Sequence, residues 1–200
     1  MTKGDLENQW WALSDDWKKA LQHAFLRHGE TIFLPSERDL RALFSTEKLE
    51  VVGNGILLFG LEQLSFKLTD LSGLQYFSNL KELNIAGNAL KKLSGIEYLK
   101  QLELLNLTAN KLTTLRGIRH LKQLKNLFIR DNKITTLSEI QHLKKLVILD
   151  CLNNKKLKTI GKLSESETLQ TLYIQDYKNN IHEEVKVLEN KLISLKVIRI

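Results

Sequence analysis

Leu80-Lys81-Glu82-Leu83-Asn84-Ile85-Ala86-Gly87-Asn88 decides the fold, because its pattern returns every 22 residues. Leu102, Leu105, Leu107 and Asn110 form the next copy; Leu124, Leu127, Ile129 and Asn132 follow, and then Leu146, Leu149, Cys151 and Asn154. Behind the asparagines further apolar positions keep step: Leu90, Leu93, Ile96 and Leu99; Leu112, Leu115, Ile118 and Leu121; Ile134, Leu137, Ile140 and Leu143. In each unit Leu-x-Leu reads as a short strand whose alternate side chains point inward. The asparagine turns its amide inward, where it can bond backbone groups of neighbouring turns. A unit this short cannot bury its own apolar side, so the units must stack and share one leucine column.

Outward from this centre the spacing loosens. Phe66 stands one period before Asn88. Asn54 lies in a strand-like stretch, Leu49-Glu50-Val51-Val52-Gly53-Asn54-Gly55-Ile56, which reads as a first repeat or as a capping strand. One residue is inserted after Asn154, within residues 155–160. The next unit, Leu169, Leu172 and Ile174, carries Tyr177 in the asparagine position. Leu195, Ile198 and Ile200 are expected to be the inward positions of a last strand, 26 residues further on. The added length fits a helix with Ile181, Val185, Leu188 and Leu192 on one face.

With four consecutive copies in step, the chain resembles the leucine-rich repeat family in its 22-residue form, similar to the internalins and the phosphatase-regulator type, over roughly residues 58–200. The resemblance implies an α/β solenoid with a concave parallel sheet and short helical or 3-10 segments on the convex side. It also implies protein recognition rather than catalysis.

A solenoid end exposes leucines and needs a cap. We expect residues 1–48 to form a helical N-terminal cap on a solenoid of residues 49–200, in one structural domain. Ser14 suits a helix N-cap, with Asp15 and Asp16 where the helix dipole favours anions. Trp17, Leu21, Ala24 and Phe25 would form its apolar face, and Gly29 its exit. Ser36 would cap a second helix, with Leu40, Leu43 and Phe44 inward. Trp10, Trp11 and Trp17 read as anchors of this cap against the first repeat. The stretch from Trp10 to Leu21 also resembles helical leaders ahead of repeats in some bacterial proteins.

Composition agrees. Of 200 residues, 41 are leucine, and proline and cysteine occur once each. A single cysteine excludes an internal disulfide framework and a cysteine-rich zinc site. No stretch approaches the roughly 20 apolar residues of a membrane span. Residues 1–7 lack an apolar run behind a basic end, so a cytoplasmic location is expected, or secretion if a leader was trimmed ahead of Met1. The net charge of +7 is uneven: −2 over residues 1–60, +10 over 61–163 and −1 over 164–200. The lysines of the basic block sit mostly in convex and loop positions, which reads as a solvated outer surface.

Catalytic and cofactor motifs are missing. There is no glycine-rich phosphate loop, no Gly-x-Ser-x-Gly elbow and no His-Glu-x-x-His helix. His120 and His142 stand one period apart, where Tyr76 and Tyr98 sit in earlier repeats, and read as a convex aromatic ladder. Two imidazoles without an acid or thiol make a poor metal site. Cys151 falls at an inward position and should be inert. His182 lies beside Glu183 and Glu184 with no nucleophile to activate. We expect no enzyme activity, no cofactor and no metal.

The concave face is the candidate binding site. Alternation puts outward Glu82, Asn84 and Ala86; Leu104, Asn106 and Thr108; Asn126, Phe128 and Arg130; Ile148, Asp150 and Leu152; Thr171, Tyr173 and Gln175; and Val197 and Arg199. Leu104, Phe128, Ile148, Leu152 and Tyr173 form an apolar cluster beside Asn126, Arg130 and Asp150. Aromatic and arginine residues in an exposed apolar patch point to a protein partner, with cross-strand packing as the alternative explanation. A second function would be electrostatic binding of nucleic acid or an anionic surface through the basic block. The concave positions lack the regular basic–aromatic interleaving that nucleic acid would favour. A third would be self-association through the C-terminal edge strand, unless Lys196 and Arg199 blunt it.

Overall fold

The structure is a computed structural model and describes residues 1–26, 32–53, 67–175, 180–192 and 194–199. Helices α1 (Lys3–Ala12), α2 (Asp15–Leu21) and α3 (Glu37–Ser45) precede the sheet. Its strands are β1 (Lys48–Glu50), β2 (Glu82–Asn84), β3 (Leu104–Asn106), β4 (Asn126–Phe128), β5 (Ile148–Asp150), β6 (Thr171–Ile174) and β7 (Lys196–Arg199), with helix α4 (Asn180–Lys191) before the last. Among the described residues these seven strands form one sheet in sequence order, every neighbouring pair parallel. Between strands the chain returns through 3-10 turns at Leu74–Tyr76, Ile96–Tyr98, Ile118–His120, Ser138–His142 and Gly161–Glu165.

The 22-residue period is the register itself: Leu83 lies opposite Leu105, and Leu105 opposite Leu127. The matched apolar positions from Leu80 to Ile160 that the repeat predicts are buried in one continuous core. Burying each such side chain is worth roughly 2 kcal/mol. The inserted residue is absorbed in the loop before β6, where Thr136 bridges Thr159 and Leu149 then pairs with Leu172.

The asparagines tie repeat to repeat. Asn110 Nδ2 donates to Ile85 O of the preceding repeat (3.0 Å) and to Leu107 O of its own (3.0 Å), while its Oδ1 accepts from Leu90 N–H (3.0 Å). Asn132 and Asn154 make the same three bonds one and two periods on. Asn88 reaches Val51 O, Ile85 O and Leu68 N–H. All four are buried, so each amide satisfies backbone groups that water cannot reach. Just ahead of each asparagine the chain takes a left-handed conformation: Gly87 (φ 72°), Ala109 (54°), Asp131 (56°) and Asn153 (55°). Glycine, aspartate and asparagine tolerate this region, whereas alanine is strained there.

The ends depart from expectation in specific ways. Residues 3–12 are helical, opened by a Thr2–Asp5 capping box. Ser14 and Ser36 cap α2 and α3 as read from sequence. Trp10 and Trp17 are buried, and Trp17 Nε1 donates to Asp70 O (3.2 Å). Trp11 is not an anchor: it is 52% exposed, with the Lys18 ammonium 5.2 Å above its ring. Ala24 is exposed rather than inward, because the backbone widens to a π-helical turn at Gln22–Leu26 and shifts the helical face. Phe44 meets the rings of Tyr76 and Phe77 at 6.2 and 5.3 Å and joins α3 to the first 3-10 turn. The expectations for Gly29, Asn54, Phe66 and Tyr177 lie outside the described residues.

At the other end α4 buries Ile181, Val185 and Leu188, with Leu192 packed beside them. Glu184 accepts from Thr159 Oγ1 (2.8 Å) and Ile160 N–H (2.7 Å), docking the helix on the preceding repeat. The last strand pairs at a spacing of 25, not 26: Leu172 lies opposite Val197, and Tyr173 opposite Ile198. Val197 therefore takes the core-facing position and Ile198 the concave one, the reverse of the sequence reading. Because side chains alternate, one residue of slip inverts the whole strand. Arg199 accordingly points to the inner side and pairs with Glu189 of α4 (2.6 Å).

Candidate functional site

Two rows of side chains cross the concave face. Strand register places Glu82, Leu104, Asn126, Ile148 and Thr171 side by side in one row, between Lys48 and Lys196. The second row runs Glu50, Asn84, Asn106, Phe128, Asp150, Tyr173 and Ile198. Neighbouring strands stand roughly 4.8 Å apart, so adjacent members are within contact range. Leu104, Phe128, Ile148 and Tyr173 step diagonally between the rows and are all half-buried. Ile198 extends the apolar surface beyond Tyr173. Asn126 and Asp150 lie between them as expected.

Leu152 does not belong to this surface. It is 3% exposed and buried, although alternation from Leu149 put it outward. The strand ends at Asp150, and the left-handed turn at Asn153 follows, so alternation no longer governs the position. Its equivalents behave variously: Ala86 is buried, while Thr108 and Arg130 are half-buried. Arg130 sits at the rim and pairs with Asp131 (3.4 Å).

The second row has its own local rule, which alternation did not reveal. Asn84 Oδ1 accepts from Ala86 N–H (3.2 Å), Asn106 Oδ1 from Thr108 N–H (3.0 Å), and Asp150 Oδ1 from Leu152 N–H (3.1 Å). These Asx turns satisfy a backbone donor at the end of the strand. Phe128 and Tyr173 occupy the same column and have no acceptor within reach of that donor. The recurrence of Asn, Asn and Asp at 84, 106 and 150 was the available sequence signal.

Electrostatics divide the face. At its N-terminal corner Lys48 is held by Glu50 (3.4 Å) and Glu82 (3.3 Å), beside a recess of about 190 Å³ walled by Leu104, Asn106 and Phe128. Burial pushes the Asp150 carboxyl above the usual carboxylate range, partly offset by the Leu152 N–H and by the positive charge of Arg130. Beneath the sheet Cys151 is fully buried, its Sγ 3.2 Å from Tyr173 O, and burial drives its thiol pKa far up. Its burial is what the inward position read from the sequence implied. Glu184, which neighbours His182 in sequence, is occupied in docking α4. Among the described residues no group of three or more His, Cys, Asp or Glu side chains could hold a metal ion, and no helix is long and apolar enough to cross a membrane.

The comparisons fall in line with this architecture. Residues 78–120 and 122–165 match the family model for leucine rich repeats, in two copies. An internalin (inlF) of Listeria monocytogenes superposes with a TM-score of 0.72 at 20% identity, covering 97% of this chain and 52% of the internalin. Internalin C2 of the same organism gives 0.62 at 20% identity, covering 96% and 85%. A leucine-rich repeat protein of Leptospira interrogans gives 0.56 at 27% identity, covering 88% and 53%. The chain thus spans about half the length of the first internalin and of the Leptospira protein. No curated protein sequence matches it. The 22-residue register, the buried asparagine ladder and the single parallel sheet, together with these likenesses, show a leucine-rich repeat fold with a helical N-terminal segment, its repeats matching the family over residues 78–165.

Proposed function

We propose that the chain is a non-catalytic module that holds a protein partner on its concave sheet, through Leu104, Phe128, Ile148 and Tyr173, with Asn126, Arg130 and Asp150 as polar contacts. The observation that carries this reading is the exchange in the second row. Three strands spend that position on an Asx turn, whereas β4 and β6 give up the backbone hydrogen bond and present an aromatic ring instead. Large apolar groups left half-exposed on an open face are what a partner's anchor residues require. Leucine-rich repeat folds commonly serve as protein-interaction modules, which supports the same reading.

The test is a double substitution, Phe128→Ala with Tyr173→Ala. Both side chains are half-exposed, so the unfolding transition should change little. Capture of a partner from native extract should fall by about a hundredfold or more, as expected for two aromatic hot spots. Undiminished capture by the folded variant would sink the proposal.

A further inference from the structure

Asp150 carries a charge that its structural task does not use. Its Oδ1 accepts from Leu152 N–H (3.1 Å), closing the same Asx turn that Asn84 and Asn106 close with a neutral amide. An asparagine would therefore serve this strand end equally well. The carboxylate is half-buried, and burial pushes its pKa above the usual carboxylate range, so the charge is disfavoured where it stands.

Among the described residues no cation is paired with it: Asp150 forms no ion pair, and its Oδ2 accepts no hydrogen bond. Arg130 acts on it from the rim but pairs with Asp131 (3.4 Å), whose own negative charge also bears on Asp150. At the far corner of the face Lys48 is taken by Glu50 and Glu82. Phe128 and Tyr173 stand on either side of Asp150 in its row, one strand away each and half-buried.

We infer that Asp150, between Phe128 and Tyr173, receives an arginine side chain of the bound protein. The inference rests on the concave-face reading above and names what the partner presents there. The guanidinium donates to Oδ2, which leaves the Asx turn intact, and packs its flat surface against the flanking aromatic side chains. Arginine suits this place better than lysine, because a delocalised planar cation stacks on aromatic rings and is less strongly hydrated than an ammonium. The two aromatic neighbours keep water from the pair, which strengthens its charge-assisted hydrogen bond.

The probe is a library of short random peptides displayed on phage and selected on the immobilised chain, the enriched peptides then being measured free in solution by calorimetry. Enriched peptides should share an arginine. Replacing that arginine by glutamine should weaken binding to the wild type about tenfold or more, and should cost nothing further once the chain carries Asp150→Asn. Asp150→Asn keeps the capping oxygen, so its melting temperature and the exchange protection of the Leu152 amide should hold. An arginine-to-glutamine loss that is as large against Asp150→Asn as against the wild type would overturn the inference. Enrichment without arginine, lysine serving equally well, or no enrichment at all would overturn it too. Peptides that lose affinity for Phe128→Ala with Tyr173→Ala but not for Asp150→Asn would leave the concave-face reading standing and remove this one. Peptides indifferent to all three substitutions would remove both.

Discussion

The repeats that end at Asn110, Asn132 and Asn154 and the unit that ends the described chain solve one problem in two ways. Each must fix a strand beside the one before it. In the interior a buried side chain does so, bonding the backbone of two consecutive repeats at once. At the C-terminal end the register rests on a helix, α4, held from outside by Glu184 and by the Arg199–Glu189 pair. The interior device is local, buried and repeated, so it imposes the same spacing each time. The terminal device acts through the position of a whole helix, and the spacing becomes a consequence of packing.

The two ends of this contrast can be tested separately. The largest effect is expected in the interior. Asn132→Ala removes one buried acceptor and a donor shared by three carbonyls, and should cost roughly 3–5 kcal/mol in denaturant unfolding. A loss below about 1 kcal/mol would mean that water replaces the ladder without penalty. Glu184→Ala should cost about 2 kcal/mol, since it removes charge-assisted bonds to Thr159 and Ile160. Its signature is regional: amide exchange should quicken in α4 and β7 while β3 and β4 keep their protection. Uniform loss across the sheet would show that the end is no weaker a unit than the interior. The smallest effect has the opposite sign. Ala109→Gly relieves a left-handed alanine where Gly87 occupies the equivalent position, and should stabilise the chain by roughly 0.5–1 kcal/mol. A fall in melting temperature would show that the turn costs nothing as it stands.

The candidate binding face lies across both regimes, which explains how far its layout was legible. Leu104, Asn126, Phe128, Ile148, Asp150 and Tyr173 stand where alternation puts them, because each lies within a strand whose register the leucine repeat dictates. Leu152 and Ile198 were misread for two different reasons. Leu152 follows the last paired residue of β5, where the backbone bends toward a left-handed turn and the two-residue period lapses. Ile198 lies inside a strand, but one reached through α4, where a shift of a single residue exchanges the two faces. Trp11 shows the same limit at the N-terminal end, since three tryptophans close in sequence cannot all face one way on consecutive helices.

The sequence by itself determined the stacked repeat, the buried leucine column and the asparagine ladder, and the family resemblance implied the parallel sheet. These follow from a period that repeats without error for four units, and a contact that satisfies one unit satisfies the next. Only the tertiary structure decided the burial of Leu152, the exposure of Trp11 and the face of β7. Each of these depends on what a neighbouring element leaves open, through helix docking or turn conformation, and such geometry is not encoded in the spacing of apolar residues.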